Sequence, residues 1–227
     1  SLLEAVRALH PEHVFKVPES EAASCAKFLK TFLATGGNIF STNYDLLLYW
    51  VLMRSEIAEH GDGCGRELLN QTGEYLPPEE CIWSDELIWG VNRDTQNVFY
   101  LHGALPFFDN GIDIVKEAYN TYNFLLERIN ARMKLGEYPI FVTAGDGTQK
   151  LKQIMHNRYL AYCYESLSRV EGSLVTFGFN FGESDEHIIE AINRAARRKA
   201  PGKLWSVYIG VYSSEGQEHI ESIAHKF

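Results

Sequence analysis

The chain has 227 residues, 45% of them hydrophobic, and a formal net charge of -9. That is enough apolar chain for one sizeable core with a small insertion, and the acidic balance, with no long basic run, argues against duplex nucleic acid as a partner, because binding phosphate needs a basic surface. No apolar run approaches the roughly 20 residues a membrane span needs, no signal peptide is visible, and the cysteines, Cys25, Cys64, Cys81 and Cys163, form no C-x-x-C pair, so neither structural zinc nor a secreted disulfide framework is expected and a cytoplasmic setting is the default.

Leu2 to Leu9 reads as a short amphipathic helix ended by His10-Pro11. His10 and His13 read as surface residues, with no third ligand type beside them. Glu21 to Phe32 repeats apolar residues at helical spacing and is closed by Gly36-Gly37. Ile39-Phe40 opens a strand that runs into Ser41-Thr42-Asn43-Tyr44-Asp45, and the apolar run from Leu46 to about Ile57 reads as a buried helix. Thr42 or Asn43 either caps that helix or belongs to a ligand site at the strand's carboxyl end. Residues 60–95, rich in Gly, Pro, Asp and Glu, read as an irregular insertion or lid, with Trp83 and Trp89 as its packing.

Asn97 to Leu101 is a second strand ending in His102-Gly103. Residues 111–136 read as mostly helical and 138–143 as a third strand. Thr143 to Thr148 contains two glycines but lacks the P-loop lysine spacing, so it reads as a turn with a capped helix, and a helix follows from Thr148 to Leu167. Ser173 to Phe177 is a fourth strand, closed by Gly178-Phe179-Asn180-Phe181-Gly182-Glu183-Ser184-Asp185. Ser184 or Asp185 is expected to cap a helix over 186–198, whose end carries Arg194, Arg197, Arg198 and Lys199 as a solvated cationic turn. Lys203 to Gly210 is a fifth strand, and Ser213 caps a final helix.

Strands alternating with helices, and apolar strands without clean alternation, predict an α/β fold with a parallel sheet covered on both faces. In such a sheet the carboxyl ends of the strands point one way, so STNYD, LHG and GFNFGESD are expected to converge on one crevice. They bring together an amide (Asn43), an imidazole (His102), a carboxylate (Asp45) and a glycine-bounded turn at a helix start. Histidine serves as a general base near neutral pH. The amide can hold a water or a ribose hydroxyl, and backbone N–H groups at a helix start suit phosphate.

These motifs, with the longer phrases NIFSTNYDLLLYWVLM and FYLHGAL, resemble those of sirtuin-like NAD-consuming domains, and most closely a bacterial sirtuin-like family catalogued as a domain of unknown function. The resemblance spans nearly the whole chain. It implies a Rossmann-like domain with helices on both faces that takes NAD as substrate and needs no metal. It assigns Asn43 and His102 as the catalytic pair, supported by Asp45. It places Thr42, Tyr44, Gly178, Phe179, Asn180, Ser184 and Asp185 at the nucleotide. Asp185 and His187 lie in its S-D-x-H stretch, as site residues or as helix cap and buttress.

Two departures shape the expectation. Sirtuin deacetylases carry paired zinc cysteines after the histidine, and HGALPFFDNG has none, so NAD hydrolysis is expected in place of deacylation. The related domains also open with a strand and glycine-rich turn, which does not precede Asn43. Residues 1–227 therefore read as a single sirtuin-like α/β domain, incomplete at the amino terminus and at the carboxyl terminus. The expected activity is an NAD glycohydrolase serving bacterial antiphage defence. The alternatives are a non-catalytic NAD or ADP-ribose sensor and a structural module. Expected partners are NAD or a related nucleotide, with neither membrane nor nucleic acid; self-association stays open.

Overall fold

The computed structural model describes residues 10–55, 57–68, 72, 74–77, 79, 86–118, 124–142, 145–199 and 201–227. The helix expected over Leu2 to Leu9, Cys81, Trp83 and the Thr143-Ala144 start of the glycine turn lie outside them. The fold is α/β, with mixed parallel and antiparallel sheets and flanking helices, consistent with a Rossmann-like arrangement. The chain divides into two compact units, Ser1–Phe141 and Val142–Phe227.

In the first unit, helix α1 (Glu19–Leu33) buries Ala22, Ala26, Leu29 and Leu33. It stops where Gly36, at φ +75°, lets the N–H groups of Gly36 and Gly37 return to the Leu33 and Phe32 carbonyls. Strand β1 (Ile39–Ser41) leads into α2 (Leu47–Arg54), whose Tyr49, Trp50, Val51 and Leu52 are buried. Then come β2 (Cys64–Gly65), β3 (Glu86–Trp89), β4 (Val98–Tyr100), β5 (Gly103–Asp109), β6 (Ile114–Glu117), α3 (Leu125–Lys134) and β7 (Pro139–Phe141). β1 and β4 pair in parallel. The other five strands form an antiparallel sheet in the order β2-β3-β6-β5-β7.

The sheets include antiparallel pairs beside the parallel ones that were expected. The cause is a hairpin inside the segment read as helix. Asn110 Oδ1 accepts from the N–H groups of Ile112 and Asp113, Asp109 Oδ1 accepts from Gly111, and Gly111 sits at φ +87°. An Asn-Gly step between apolar runs is a strong hairpin signal, and it outweighs the helical spacing of the residues that follow. The core beneath joins Leu46, Tyr49 and Trp50 of the α2 region to Leu105, Phe108 and Val115 of the hairpin and to Leu125, Leu126, Ile129 and Met133 of α3. In the 60–95 region, Trp89 is buried and donates its indole N–H to Gln96 Oε1 at 3.0 Å, the packing role expected of it.

The second unit contains α4 (Gly147–His156), α5 (Arg158–Leu167), β8 (Gly172–Thr176), α6 (Glu186–Ala196), β9 (Leu204–Ile209) and α7 (Ser214–Ile223). One long helix was expected over 148–167. It is broken by extended Asn157, whose side chain accepts from the N–H groups of Tyr159 and Leu160 and so starts a second helix. α4 begins in a capping box formed by Asp146 and Gln149. β8 and β9 pair in parallel, and α6 turns His187, Ile188, Ile189, Ala191, Ile192 and Ala195 inward. Ser213 caps α7 as expected, accepting from Gly216 N–H. No helix among the described residues is long and apolar enough to cross a membrane.

Candidate functional site

The register Ile39↔Val98, Phe40↔Phe99, Ser41↔Tyr100 fixes β1 beside β4. Phe40 stacks on Phe99 with ring centroids 4.9 Å apart, and Leu101 N–H donates to the Ser41 carbonyl at 2.8 Å. Asn43 and His102 each stand two residues beyond their strand. Both therefore leave the same, carboxyl end of one parallel pair, where open α/β sheets bind ligands.

The turn that carries Asn43 is held mostly through its backbone. Ser41 Oγ accepts from Asn43 N–H at 3.1 Å. Tyr44 presents its carbonyl to Leu105 N–H at 2.8 Å, which ties the turn to the strand after His102. Asp45 Oδ1 accepts from Leu47 N–H at 2.8 Å, a local turn just ahead of α2, whose N-cap residue is Leu46, so neither Thr42 nor Asn43 caps that helix. Asn43 and Tyr44 are exposed, Thr42 is half-buried, and the Tyr44 ring lies 6.0 Å from that of Phe141.

His10 contributes a bond that sequence reasoning missed. Its Nε2 accepts from Leu46 N–H at 2.9 Å, its Nδ1 lies 2.8 Å from the Pro11 carbonyl, and its ring meets Trp50 edge-on at 4.8 Å. An Nε2 that accepts places the proton on Nδ1. The imidazole read as a surface group is instead half-buried and anchors the start of α2. His10→Phe keeps a ring against Trp50 but removes the acceptor. It is expected to lower stability by about 1–3 kcal/mol, the cost of a stranded donor, read as a shifted urea midpoint with unchanged slope.

His102 is buried, 6% exposed. Gly103 follows at φ +82°, and a Cβ there would stand 2.0 Å from the Ile140 carbonyl oxygen. The glycine of the HG step is thus required by the close passage of β7. Behind them, Tyr100 is almost fully enclosed. Burial first, and then the charges of Asp62, Tyr49 and Asp45, push its phenol well above the usual range, so it stays a neutral hydroxyl. Asp62 forms a buried ion pair with Lys116, whose ammonium also lies 3.6 Å from the centroid of the Tyr49 ring.

The GFNFGESD segment lies in the second unit. Gly178 takes φ +67°, and Phe181 takes φ +48°, a conformation bulky side chains avoid. Phe181 is held there by burial between Phe179, at 4.7 Å, and Phe227, at 5.2 Å. The Asn180 carbonyl lies 2.9 Å from His219 Nε2. Ser184 and Asp185 do not cap α6, as one of them was expected to: no side-chain capping bond is made there. Both instead accept from the Lys150 ammonium, at 3.2 Å and 2.8 Å. His187 is buried, at 2% exposed. Lys150 was not anticipated. The available signal was its place in the first turn of a helix, where the dipole disfavours a cation unless an acidic partner faces it.

The expectation of no metal is corrected. Among the described residues, His102, Asp185 and His187 are a group that could hold a metal ion. Two imidazole nitrogens and a carboxylate oxygen suit a divalent transition metal. Sequence reasoning gave Asp185 and His187 only nucleotide, capping and buttressing roles, and His102 lies far upstream of both.

The model of the family described as Domain of unknown function (DUF4917) matches residues 1–225. The chain belongs to that family. No curated protein matches it. As a DUF4917 member it carries the STNYD and HG segments at the carboxyl ends of the adjacent parallel strands β1 and β4.

Proposed function

We propose that this DUF4917 protein is a sirtuin-like NAD glycohydrolase, converting NAD and water to ADP-ribose, nicotinamide and a proton. The observation that carries the reading is the β1–β4 register, which sets Asn43 and His102 at one strand end. In the proposed reaction the His102 imidazole accepts a proton from a ribose hydroxyl. The Asn43 amide holds the attacking water at the anomeric carbon as the bond to nicotinamide breaks through an oxocarbenium-like state. Asp45, engaged by Leu47 N–H, keeps the turn beneath Asn43 in shape. Bacterial antiphage defence by NAD depletion is the proposed setting.

The test is nicotinamide release. Asn43→Ala and His102→Ala are each expected to reduce it about 100-fold or more, the usual worth of a general base or a positioned nucleophile, with the circular dichroism spectrum unchanged. Release by both variants at the parent rate would defeat the proposal. Saturable ADP-ribose binding with no product would make the protein a sensor instead.

A further inference from the structure

We propose that the exposed face of the β8–β9 ladder is an interface between two copies of this chain, packed sheet on sheet about a twofold axis. The inference concerns the second unit alone and stands apart from the NAD reading.

The register sets Ser173 opposite Ser206 and Val175 opposite Tyr208. The Ser173 and Ser206 hydroxyls meet at 2.8 Å, so these two side chains leave the sheet on one side. Side chains alternate along a strand, which puts Val175, Phe177 and Tyr208 on that same side. A Cβ on Gly210 would come 3.7 Å from Phe177 Cδ2, so the Phe177 ring continues the face past the end of β8. Leu174, Val207 and Ile209 point the other way and are half-buried, and α6 packs on β9. On the first face Val175 is 44% exposed, Tyr208 61% and Phe177 80%. Val211 and Tyr212, which follow directly in the chain, are exposed as well.

Parallel ladders are ordinarily covered on both faces, and a contiguous exposed apolar patch marks an interaction site. Two features point to a second copy as the cover. The first is area. At these exposures the three aromatic and two valine side chains offer roughly 600 Å² per copy, and two copies together reach about 1,200 Å², the lower bound of a specific interface. The second is charge. The chain has 30 acidic and 21 basic residues, a net charge of -9, so identical copies repel over most approaches. Ser173, Val175, Phe177, Ser206, Tyr208 and Gly210 include no Asp, Glu, Lys, Arg or His. Two copies meet here with no like charges opposed. A twofold axis beside the Val175–Tyr208 pair sets the patch against itself, with the two ladders stacked about 10 Å apart.

The experiment is sedimentation equilibrium of the full chain from about 1 to about 100 μM. The wild type is expected to dimerise within that range. Val175→Glu and Val175→Lys should each weaken dimerisation about 100-fold or more, because like charges set opposite each other in an interface are costly. An equimolar mixture of the two variants should associate again, since a twofold contact then pairs Glu with Lys. Circular dichroism checks the fold of each variant. If either fails to fold, Tyr208→Ser carries the test and should weaken dimerisation about tenfold or more.

A wild type that stays monomeric throughout overturns the proposal, and its co-sedimentation with phosphatidylcholine vesicles would then give the face to lipid. A dimer that folded Val175 variants, or Tyr208→Ser, retain at full strength places the contact elsewhere and overturns it too. A mixture that associates no better than its components excludes the twofold contact.

Discussion

Asp62→Ala is expected to lower the unfolding free energy by about 3–5 kcal/mol, the cost of leaving one member of a buried ion pair alone. Lys116 is 3% exposed and Asp62 14% exposed on their side chains. Truncating the carboxylate therefore strands the deeper charge beside the Tyr49 ring and, at 5.8 Å, the Phe107 ring. Lys116→Met should cost less, because the carboxylate it leaves is the better hydrated of the two. The double variant Asp62→Leu, Lys116→Met should recover most of the loss, since apolar replacement of a whole buried pair is often neutral. Urea unfolding of the three variants decides this. A single-variant loss below about 1 kcal/mol would place the pair in effective contact with water.

The same pair sets a pH window. Burial raises the Asp62 carboxyl, but the Lys116 charge and hydrogen bond outweigh it and hold the group below the usual carboxylate range. Burial depresses the Lys116 ammonium, but Asp62 outweighs it and holds the group above the usual lysine range. A depressed carboxyl contributes stability that is present above its unfolded pKa and lost as pH falls through the folded value. A raised ammonium contributes stability that is present below its unfolded pKa and lost as pH rises through the folded value. The pair therefore supports the fold across the whole neutral range and fails at both extremes. Asp62→Asn should flatten the acid side of the stability profile.

Gly103→Ala is the second large effect. The added methyl meets two separate penalties. The left-handed backbone costs an L-residue about 1–2 kcal/mol. The Cβ would stand 2.0 Å from the Ile140 oxygen and 2.9 Å from the Phe141 Cα, and these are backbone atoms of β7 that cannot rotate aside. Overpacking of this kind adds about 1–3 kcal/mol, so a total near 3 kcal/mol is expected, together with displacement of His102. Gly111→Ala is the control: it has a similar φ, +87°, and nothing within 4 Å of its Cβ. It should lose only the conformational part. Equal losses at both positions, measured by thermal unfolding, would remove the steric argument.

Much of this was legible in the sequence, and the remainder failed for identifiable reasons. Helix α1, strands β1, β4, β8 and β9 and the Ser213 cap follow from local pattern and turn chemistry, which act over a few residues. The β5–β6 hairpin was missed because the apolar spacing after Gly111 imitates a helix, although Asn110-Gly111 carried the contrary signal. Asn157 was hidden in the same way, since a polar residue within helical periodicity reads as solvent-facing until its side chain is seen to cap. At the site, the strand-end positions of Asn43 and His102 were readable from composition and order. The groups that tie down the neighbouring segments were not. His10 bonds a backbone N–H 36 residues away, and Lys150 bonds a carboxylate 35 residues away. Neither distance leaves a local mark on the chain.

The matched spacing beyond β1 and β4 also limits how this protein can change length. One residue added between Ser41 and Asn43, or between Tyr100 and His102, would move a single member of the pair off the two-residue spacing they share, even where the surrounding layers assembled normally. The reverse turn at 110–113 lies outside both intervals. An insertion there would leave both spacers as they are, while the two short spacers must keep their count together.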